Sequence, residues 1–561
     1  KRILKDSGIT SGICVDLGCG EGDLALELAR QSRLQVIGFE SEAAKVNIAR
    51  RQIAAAGLYG ERVTILEGDP GDTGCPRYSA NLVVSSRNLL DASAAPKSTE
   101  VARLQRPWGG VACLGFRDNL TASKRGPLDG AGSWTHQNSN PANTLCSDDT
   151  LVRGPLEMAW YRDDEIEIPD RHAQAPAPLF VRGMLVVMGV DGVCGLDAYN
   201  GQTRWVRPMA GILKDWDGVH HDVGVGDVGS NFCLGDDCVF VRDQDRCLKL
   251  DLQTGETLAE FKAPSDPGSE DKNWGHVAHE GGLLFGSVLN SAHAVSPRYG
   301  AIRMRTESVK LFAMDASTGQ LRWEHRPRHS IRNNTIAITR GRVYLIDRPL
   351  APQDRITDPK PNRNHRKVLQ PGEHPGGTLI ALDASSGRVV WTNADDIFGT
   401  QLAVSPKHSI LLMYYQGVKH TFFKLPSEIG GRIAAFRAAS GERIWDRAAT
   451  YKTRPIINGA TIYAEGGAWD LRTGEPIPWD FKRSYGCGQI ASGAHTMLFR
   501  SATLGYLDLT RDAGTENFGG IRPSCWFNAI PAGGMVLVPD GSSKCACSYQ
   551  QQAWLALQPP E

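Results

Sequence analysis

At 561 residues the chain exceeds what one hydrophobic core holds, so two or more domains are expected. Its 62 Lys and Arg balance 62 Asp and Glu, which excludes a whole-chain basic field for nucleic acid or an anionic membrane. No apolar run reaches the ~18 residues of a transmembrane helix, while 61 Gly and 31 Pro point to many turns and much β structure.

The chain begins at Lys1 rather than Met, so a missing or processed start is expected. Its 13 cysteines are too few for a disulfide scaffold. Cys525, Cys545 and Cys547 cluster near the C-terminus, and Cys233 and Cys238 flank a short turn. Either group is open to disulfide formation in an oxidising compartment or to remaining as buried thiols.

The N-terminal pattern is that of an α/β unit. Ile13 to Leu17 reads as a buried parallel strand, and Gly18, Gly20 and Gly22 form a turn that permits positive φ. A helix follows from Asp23. Leu34 to Glu40 is the next strand, and its terminal acid comes roughly 20 residues after the turn, where a ribose-binding carboxylate belongs. Ser41 is expected to cap a helix running to about Ala56 and stopped by Gly57. Arg62 to Leu66 and Asn81 to Ser86 read as the third and fourth strands. A helix near Glu100 to Leu104 leads through Pro107 to Gly110 into a fifth strand, Val111 to Gly115.

Val15-Asp16-Leu17-Gly18-Cys19-Gly20-Glu21-Gly22, Glu40, Gly68-Asp69 and the Pro107–Gly110 turn together resemble class I S-adenosylmethionine-dependent methyltransferases. The resemblance implies a Rossmann-like domain over residues 1–115. It also implies an S-adenosylmethionine site. The backbone of Gly18, Cys19, Gly20 and Gly22 would hold the methionine part, with Asp16 near its amino group, Glu40 on the ribose hydroxyls and Asp69 at the adenine amine. The turn lacks the G-x-G-x-x-G spacing of dinucleotide enzymes. Two departures bear on turnover. The fourth strand runs into Ser85-Ser86-Arg87-Asn88 rather than the Asn/Asp-Pro-Pro-aromatic pattern of amino-group methylation, and the family's last helix and two strands are not legible after Gly115. No catalytic residue can be named.

Residues 116–150 read as a linker and a polar packing segment, in which Trp134 to Asp149 is expected to lie against the next domain. Beyond it a repeat emerges. Leu196-Asp197-Ala198-Tyr199-Asn200-Gly201, Met314-Asp315-Ala316-Ser317-Thr318-Gly319 and Leu382-Asp383-Ala384-Ser385-Ser386-Gly387 are copies, the last two leading to Trp323 and Trp391. Further copies close at Gly255, Gly441 and Gly474, and Arg437 stands where the others have Asp. Each joins two strands by a glycine turn at a period of roughly 35 to 70 residues. The pattern resembles pyrroloquinoline-quinone-type propellers, which implies an all-β propeller of seven or eight four-stranded blades over residues 151–561, with the Trp packed between blades. A strand near Met158 to Tyr161 is expected to pair with the C-terminal strands.

The resemblance raises pyrroloquinoline quinone as a cofactor, but the sequence has neither an adjacent Cys pair nor Cys-x-x-Cys-His. Polar clusters at blade entrances (among them Arg328 to Asn334, Arg483 to Gly488 and Arg522 to Trp526) would converge on one face and meet a small molecule or protein there. His220, His221, His276 and His279 are the candidate metal ligands, against a plainer reading as channel hydrogen-bonders. Three functions stay open: methyl transfer with a propeller that binds substrate or partner, a propeller scaffold carrying a degenerate methyltransferase-like domain, and a propeller-centred oxidoreductase or metal enzyme. The methyltransferase-like part implies the cytoplasm and the propeller the periplasm.

Overall fold

The computed structural model describes residues 1–168, 176–213, 231–293, 295, 305–355, 369, 372–417, 425–486, 488–523, 529–539 and 553–560. The chain divides into two compact units. One is Lys1–Asp129 with Met158–Trp160 and Asp197–Gln202; the other is Gly130–Glu157, Tyr161–Leu196 and Thr203–Glu561.

In the first unit the elements follow in the order α1 (Arg2–Ser7), β1 (Ser11–Leu17), α2 (Asp23–Gln31), β2 (Arg33–Glu40), α3 (Ala43–Ala55), β3 (Val63–Glu67), β4 (Leu82–Val84), α4 (Ser86–Leu90), α5 (Ser98–Leu104), β5 (Val111–Phe116) and β6 (Asn119–Lys124). The sheet order is β3-β2-β1-β4-β5-β6. Its first five strands are parallel and β6 is antiparallel to β5. Alternation along β1 sends Cys14 into one buried cluster, with Leu28, Ala49 and Ile53, and Val15 into the other, with Phe39 and Leu104. The chain steps from β1 to β2 on one side and later to β4 on the other. The crevice beyond the carboxyl end of β1 is therefore the place where an open α/β sheet takes a ligand.

Two expectations change here. Residues 119–124 are a strand of the sheet rather than linker; Asn-Leu-Thr-Ala-Ser-Lys has little apolar alternation because β6 is an edge strand left mostly exposed. Helix α3 begins at Ala43 with no side-chain cap from Ser41. Glu40 takes that role, its Oε1 accepting from Ser41 N at 2.8 Å and Glu42 N at 3.1 Å.

The second unit is built of small sheets. Four-stranded sheets span 179–208, 232–262, 401–448, 456–477 and 491–518, and a nine-stranded sheet spans 274–397. The last sheet takes its strands from 530–558 and is completed by Glu157–Asp163 alongside Ala553–Gln558, so the strand around Met158 does join the C-terminal ones.

The repeat residues lock these sheets together. In the turns of Asp251, Asp315, Asp383 and Asp470 the Asp accepts backbone N–H bonds two and three residues ahead, as Asp315 Oδ1 does from Ser317 N and Thr318 N, both at 3.0 Å. The Trp ring then docks on the following copy. Trp323 Nε1 donates to Ala384 O at 2.8 Å, Trp391 Nε1 to Ala438 O at 3.1 Å and Trp445 Nε1 to Leu471 O at 3.0 Å. Gly387 has φ 69°, and a Cβ there would stand 2.6 Å from Trp323 Cδ2. The turn and the docked ring thus both require glycine.

The polar segment 132–149 makes a circuit of the first strands. Trp134 and Phe180 exchange backbone bonds, Leu234 N donates to Thr135 O, Ile338 N to Pro141 O, Val404 N to Ala142 O, Ile457 N to Thr144 O and Ser492 N to Leu145 O. His279 N donates to His136 Nε2 at 3.1 Å, and Ser147 Oγ donates to Pro531 O at 2.7 Å. Edge-strand donors that would otherwise be unpaired are satisfied in turn along the sheets.

Candidate functional site

The turn after β1 is tied to β2 by its backbone. Gly18 N and Cys19 N both donate to Phe39 O at 2.9 Å, and Gly22, the N-cap of α2, donates from its N to Cys19 O at 3.0 Å. The three glycines serve different ends. A Cβ on Gly22 would meet Ala49 Cβ at 3.0 Å, so this glycine lets α3 pack closely. One on Gly18 would meet Arg87 Cβ at 3.0 Å, whereas Gly20, with φ 58°, faces open space. The Cys19 side chain is buried against Gly38, and burial pushes its thiol far up, so only its backbone is available to a ligand.

Glu40, only 1% exposed, is the hub. Its Oε2 accepts from Gly20 N at 3.0 Å, so the acid that ends β2 clamps the turn that ends β1. Burial works to raise its pKa, but the N–H groups of Glu42 and Gly20 and the Arg87 guanidinium outweigh burial and hold the carboxyl below its ordinary value. Asp16 behaves oppositely. It is fully buried and accepts from Ser86 N at 2.7 Å and Ser86 Oγ at 2.6 Å. Burial, joined by the Glu40 charge and only partly offset by Ser86, pushes it up to about 6. Asp69 lies just beyond β3, with its side chain 64% exposed; Oδ1 accepts from Gly71 N at 2.8 Å and Lys97 Nζ stands 3.8 Å from Oδ2. The expected ligand residues therefore all lie at or just past the carboxyl ends of β1, β2 and β3.

Sequence reasoning assigned no role to the tetrapeptide after β4, yet each of its residues is committed. Ser85 Oγ donates to Leu17 O at 2.6 Å, and Ser86 holds Asp16. Arg87 Nη2 donates to Glu40 Oε1 at 2.8 Å, and Asn88 Oδ1 accepts from Gly115 N at 2.8 Å. The departure from the amino-methylation pattern was visible; that it ties β4 to three other strands was not.

The metal candidates do not assemble. His220 and His221 lie outside the described residues. His279 stacks on Phe240 with centroids 5.4 Å apart, while His276 faces a separate cavity. Among the described residues no group of three or more His, Cys, Asp or Glu could hold a metal ion. Of the polar clusters, Arg332 is the centre of a buried ion network, pairing with Glu307 at 3.2 Å, Asp354 at 3.4 Å and Glu428 at 2.5 Å. Arg483 pairs with Glu465 at 2.5 Å. Cys233 and Cys238 are free and buried, whereas Cys525, Cys545 and Cys547 lie outside the described residues.

Residues 14–109 match the family model of a methyltransferase domain, and residues 250–510 match that of outer membrane protein assembly factor BamB. A BamB of Nitrosomonas eutropha is 22% identical over 327 residues, covering 55% of this chain and 59% of that protein. A candidate S-adenosyl-L-methionine-dependent methyltransferase of Methanococcus maripaludis is 28% identical, over 20% of this chain and 52% of its own, with a TM-score of 0.19. BamB of Moraxella catarrhalis is 12% identical, over 72% of this chain and 100% of its own, with a TM-score of 0.41. The chain thus spans less than two thirds of the curated relative and about half of the methyltransferase structure. It combines a methyltransferase-like domain with PQQ-like propeller repeats. No helix among the described residues is long and apolar enough to cross a membrane.

Proposed function

We propose that the first unit binds S-adenosylmethionine at the Gly18–Gly22 turn and acts as a methyltransferase, and that the propeller repeats bind the acceptor or the protein that carries it. The observation that carries this reading is the 3.0 Å bond from Gly20 N to Glu40 Oε2, which sets an open glycine turn against a strand-end carboxylate. The donors present suit the group: backbone for the methionine part, Asp16 for its ammonium, Glu40 for the ribose hydroxyls and solvent-facing Asp69 for the adenine amine. The bound cofactor would supply an electrophilic methyl group. The chain's own work is positioning, which dominates such a transfer. Asp16 is mostly ionised at neutral pH, and Ser86 orients it.

The parallel order around β1 supports a Rossmann-like domain, whose end we place after β6. The sheets of the second unit support eight four-stranded blades, with the nine-stranded sheet counted as two blades joined through Ile331–Arg332 and Glu157–Asp163 completing the last.

Calorimetric titration of the full chain with S-adenosylmethionine and S-adenosylhomocysteine, beside Gly20→Val and Glu40→Ala, tests the binding. Saturable heat in wild type that both variants lose is expected, and its absence at two temperatures sinks the reading. A scaffold whose methyltransferase-like domain does not turn over is the second reading, and the Arg87–Glu40 pair favours it, since that pair engages the ribose carboxylate. Binding without S-adenosylhomocysteine formation in the presence of cell extract would select it. The BamB resemblance points to the periplasm and the cofactor to the cytoplasm; fractionation of the native host decides between them.

A further inference from the structure

The strands that meet the segment 132–149 form a ring. Each stands at the edge of its sheet, and successive ones lie side by side, as 401–405 does between 337–339 and 456–458. At the closing point the Phe180 ring stands against Gly533, where an added Cβ would be 2.5 Å from Phe180 Cζ. Trp134–Ser147 reaches eight such strands in 14 residues. That is at most about 46 Å of chain at ~3.3 Å per residue. A path so short touches every strand only from inside the ring.

Inside it, the strands donate and the segment accepts. Phe180 N, Leu234 N, Ile338 N, Val404 N, Ile457 N and Ser492 N all donate to carbonyls of Trp134–Leu145. A seventh donor, His279 N, meets His136 Nε2 at 3.1 Å. Burial keeps the His136 ring neutral, and its Nδ1 lies 2.8 Å from Thr135 Oγ1, so Nε2 is the accepting nitrogen. The eighth strand carries Pro531, which has no N–H to offer. There the direction reverses, and Ser147 Oγ donates to Pro531 O at 2.7 Å. Asn143 Nδ2 fastens the middle by donating to Ile336 O at 2.8 Å and Leu402 O at 3.2 Å. The segment is also cross-linked within itself, Leu145 N to Asn138 O and Thr135 N to Ser139 O, so one anchor does not move alone. The space left among His136, Asn138, His276 and Asn333 offers about 10 Å³ to a water centre, room for about one water.

We propose that Trp134–Ser147 is a captive ligand of this ring: a strap that fills its interior, satisfies its converging donors and releases as one unit. An occupant larger than a water enters only when the strap leaves. Strap release would strand the seven donors together, each an unpaired buried N–H, which makes the opening cooperative around the ring.

Hydrogen exchange on the full chain, resolved to single amides by electron-transfer fragmentation, tests this. In wild type the seven donor amides should be protected and share one opening. Asn143→Ala removes two bonds at the middle of the strap and should speed all seven by at least tenfold, Leu234 and Ser492 included. Amides between inner strands, such as those pairing Met413 with Ala434, should keep their rates. The proposal is overturned if the seven are unprotected in wild type, or if only Ile338 and Val404, beside Asn143, respond to the substitution. If the variant does not fold, wild type in rising guanidinium still decides. The seven should converge on one opening below global unfolding, and seven unrelated openings would mean a segment draped on the sheets contact by contact.

Discussion

Arg87 Nη2 stands 2.8 Å from Glu40 Oε1, on the carboxylate whose other oxygen clamps Gly20. The same residue's backbone N donates to Gly18 O at 3.0 Å, so Arg87 bridges the turn and the acid. A ligand hydroxyl approaching Glu40 must displace the guanidinium, which is 41% exposed and able to swing into solvent. The pair is half-screened and is worth about 0.5–1 kcal/mol. Arg87→Ala is therefore expected to tighten S-adenosylhomocysteine binding about two- to fivefold by calorimetry. Weaker binding in this variant would mean that Arg87 holds the ligand rather than competing with it.

Asp16 makes the site sensitive to pH in an unusual direction. Its carboxyl is pushed from an ordinary 3.8 to about 6, mainly by burial. Between those values the folded state keeps a proton that the unfolded chain has lost, so stability falls as pH rises through that window and is level above it. Asp16→Asn removes the ionisation while an amide oxygen still accepts from Ser86 N. It should raise protection of the β1 amides at pH 7 by about 1–3 kcal/mol and flatten the slope between pH 4 and 6. Hydrogen exchange followed by mass spectrometry on the β1 peptide reads both. The same variant should weaken S-adenosylmethionine binding, because the ammonium partner proposed above loses its charge.

Much of this was legible because a few residue types leave no alternative. Gly18, Gly20 and Gly22 at positive φ between an apolar strand and an amphipathic helix declare the turn, and Glu40 closes β2 at the expected distance. The Asp-to-Gly turns declare the repeat because their chemistry is local. What stayed hidden is carried by backbone or by distant partners. The circuit of 132–149 works mainly through main-chain bonds, so nothing in its side chains announces that Ala142 meets Val404 or Thr144 meets Ile457. Edge strand β6 lacks a buried face to give it a period. Arg87 read as a departure from a pattern, since a single arginine does not reveal which acid lies across the sheet.

The buried network at Arg332 gives a sharper stability test. Burial works against its charge, but Glu428, Glu307 and Asp354 outweigh that and hold the guanidinium firmly protonated. Arg332→Met would take the nearest counter-charge from three buried acids, leaving Arg348, 4.0 Å from Glu307, as the remaining cation, and cost about 3–5 kcal/mol at pH 7. The deprived carboxyls would then hold protons more readily in the folded state than in the unfolded one, so the deficit should shrink as pH falls toward 5. Adding Glu428→Gln should recover part of the loss, a coupling that denaturant unfolding of the single and double variants measures. An Arg332→Met loss that is independent of pH would assign the cost to packing instead.

The pairing of repeat glycines with an aromatic ring of the preceding repeat, Trp323 against Gly387 and Phe261 against Gly319 among them, separates two costs usually confounded. Gly459, with φ 60° and nothing within 4 Å of an added Cβ, isolates the backbone term. Gly459→Ala should cost about 1–2 kcal/mol, the left-handed penalty alone. Gly387→Ala adds a methyl 2.6 Å from Trp323 Cδ2 at a similar φ of 69°, so it should cost about 1–3 kcal/mol more through overpacking. Because that excess belongs to the ring, Trp323→Leu in the Gly387→Ala background should destabilise less than Trp323→Leu alone. Thermal unfolding of the four variants settles it: additive losses would mean that the glycine is needed for its turn and that the docked ring adapts to whatever stands there.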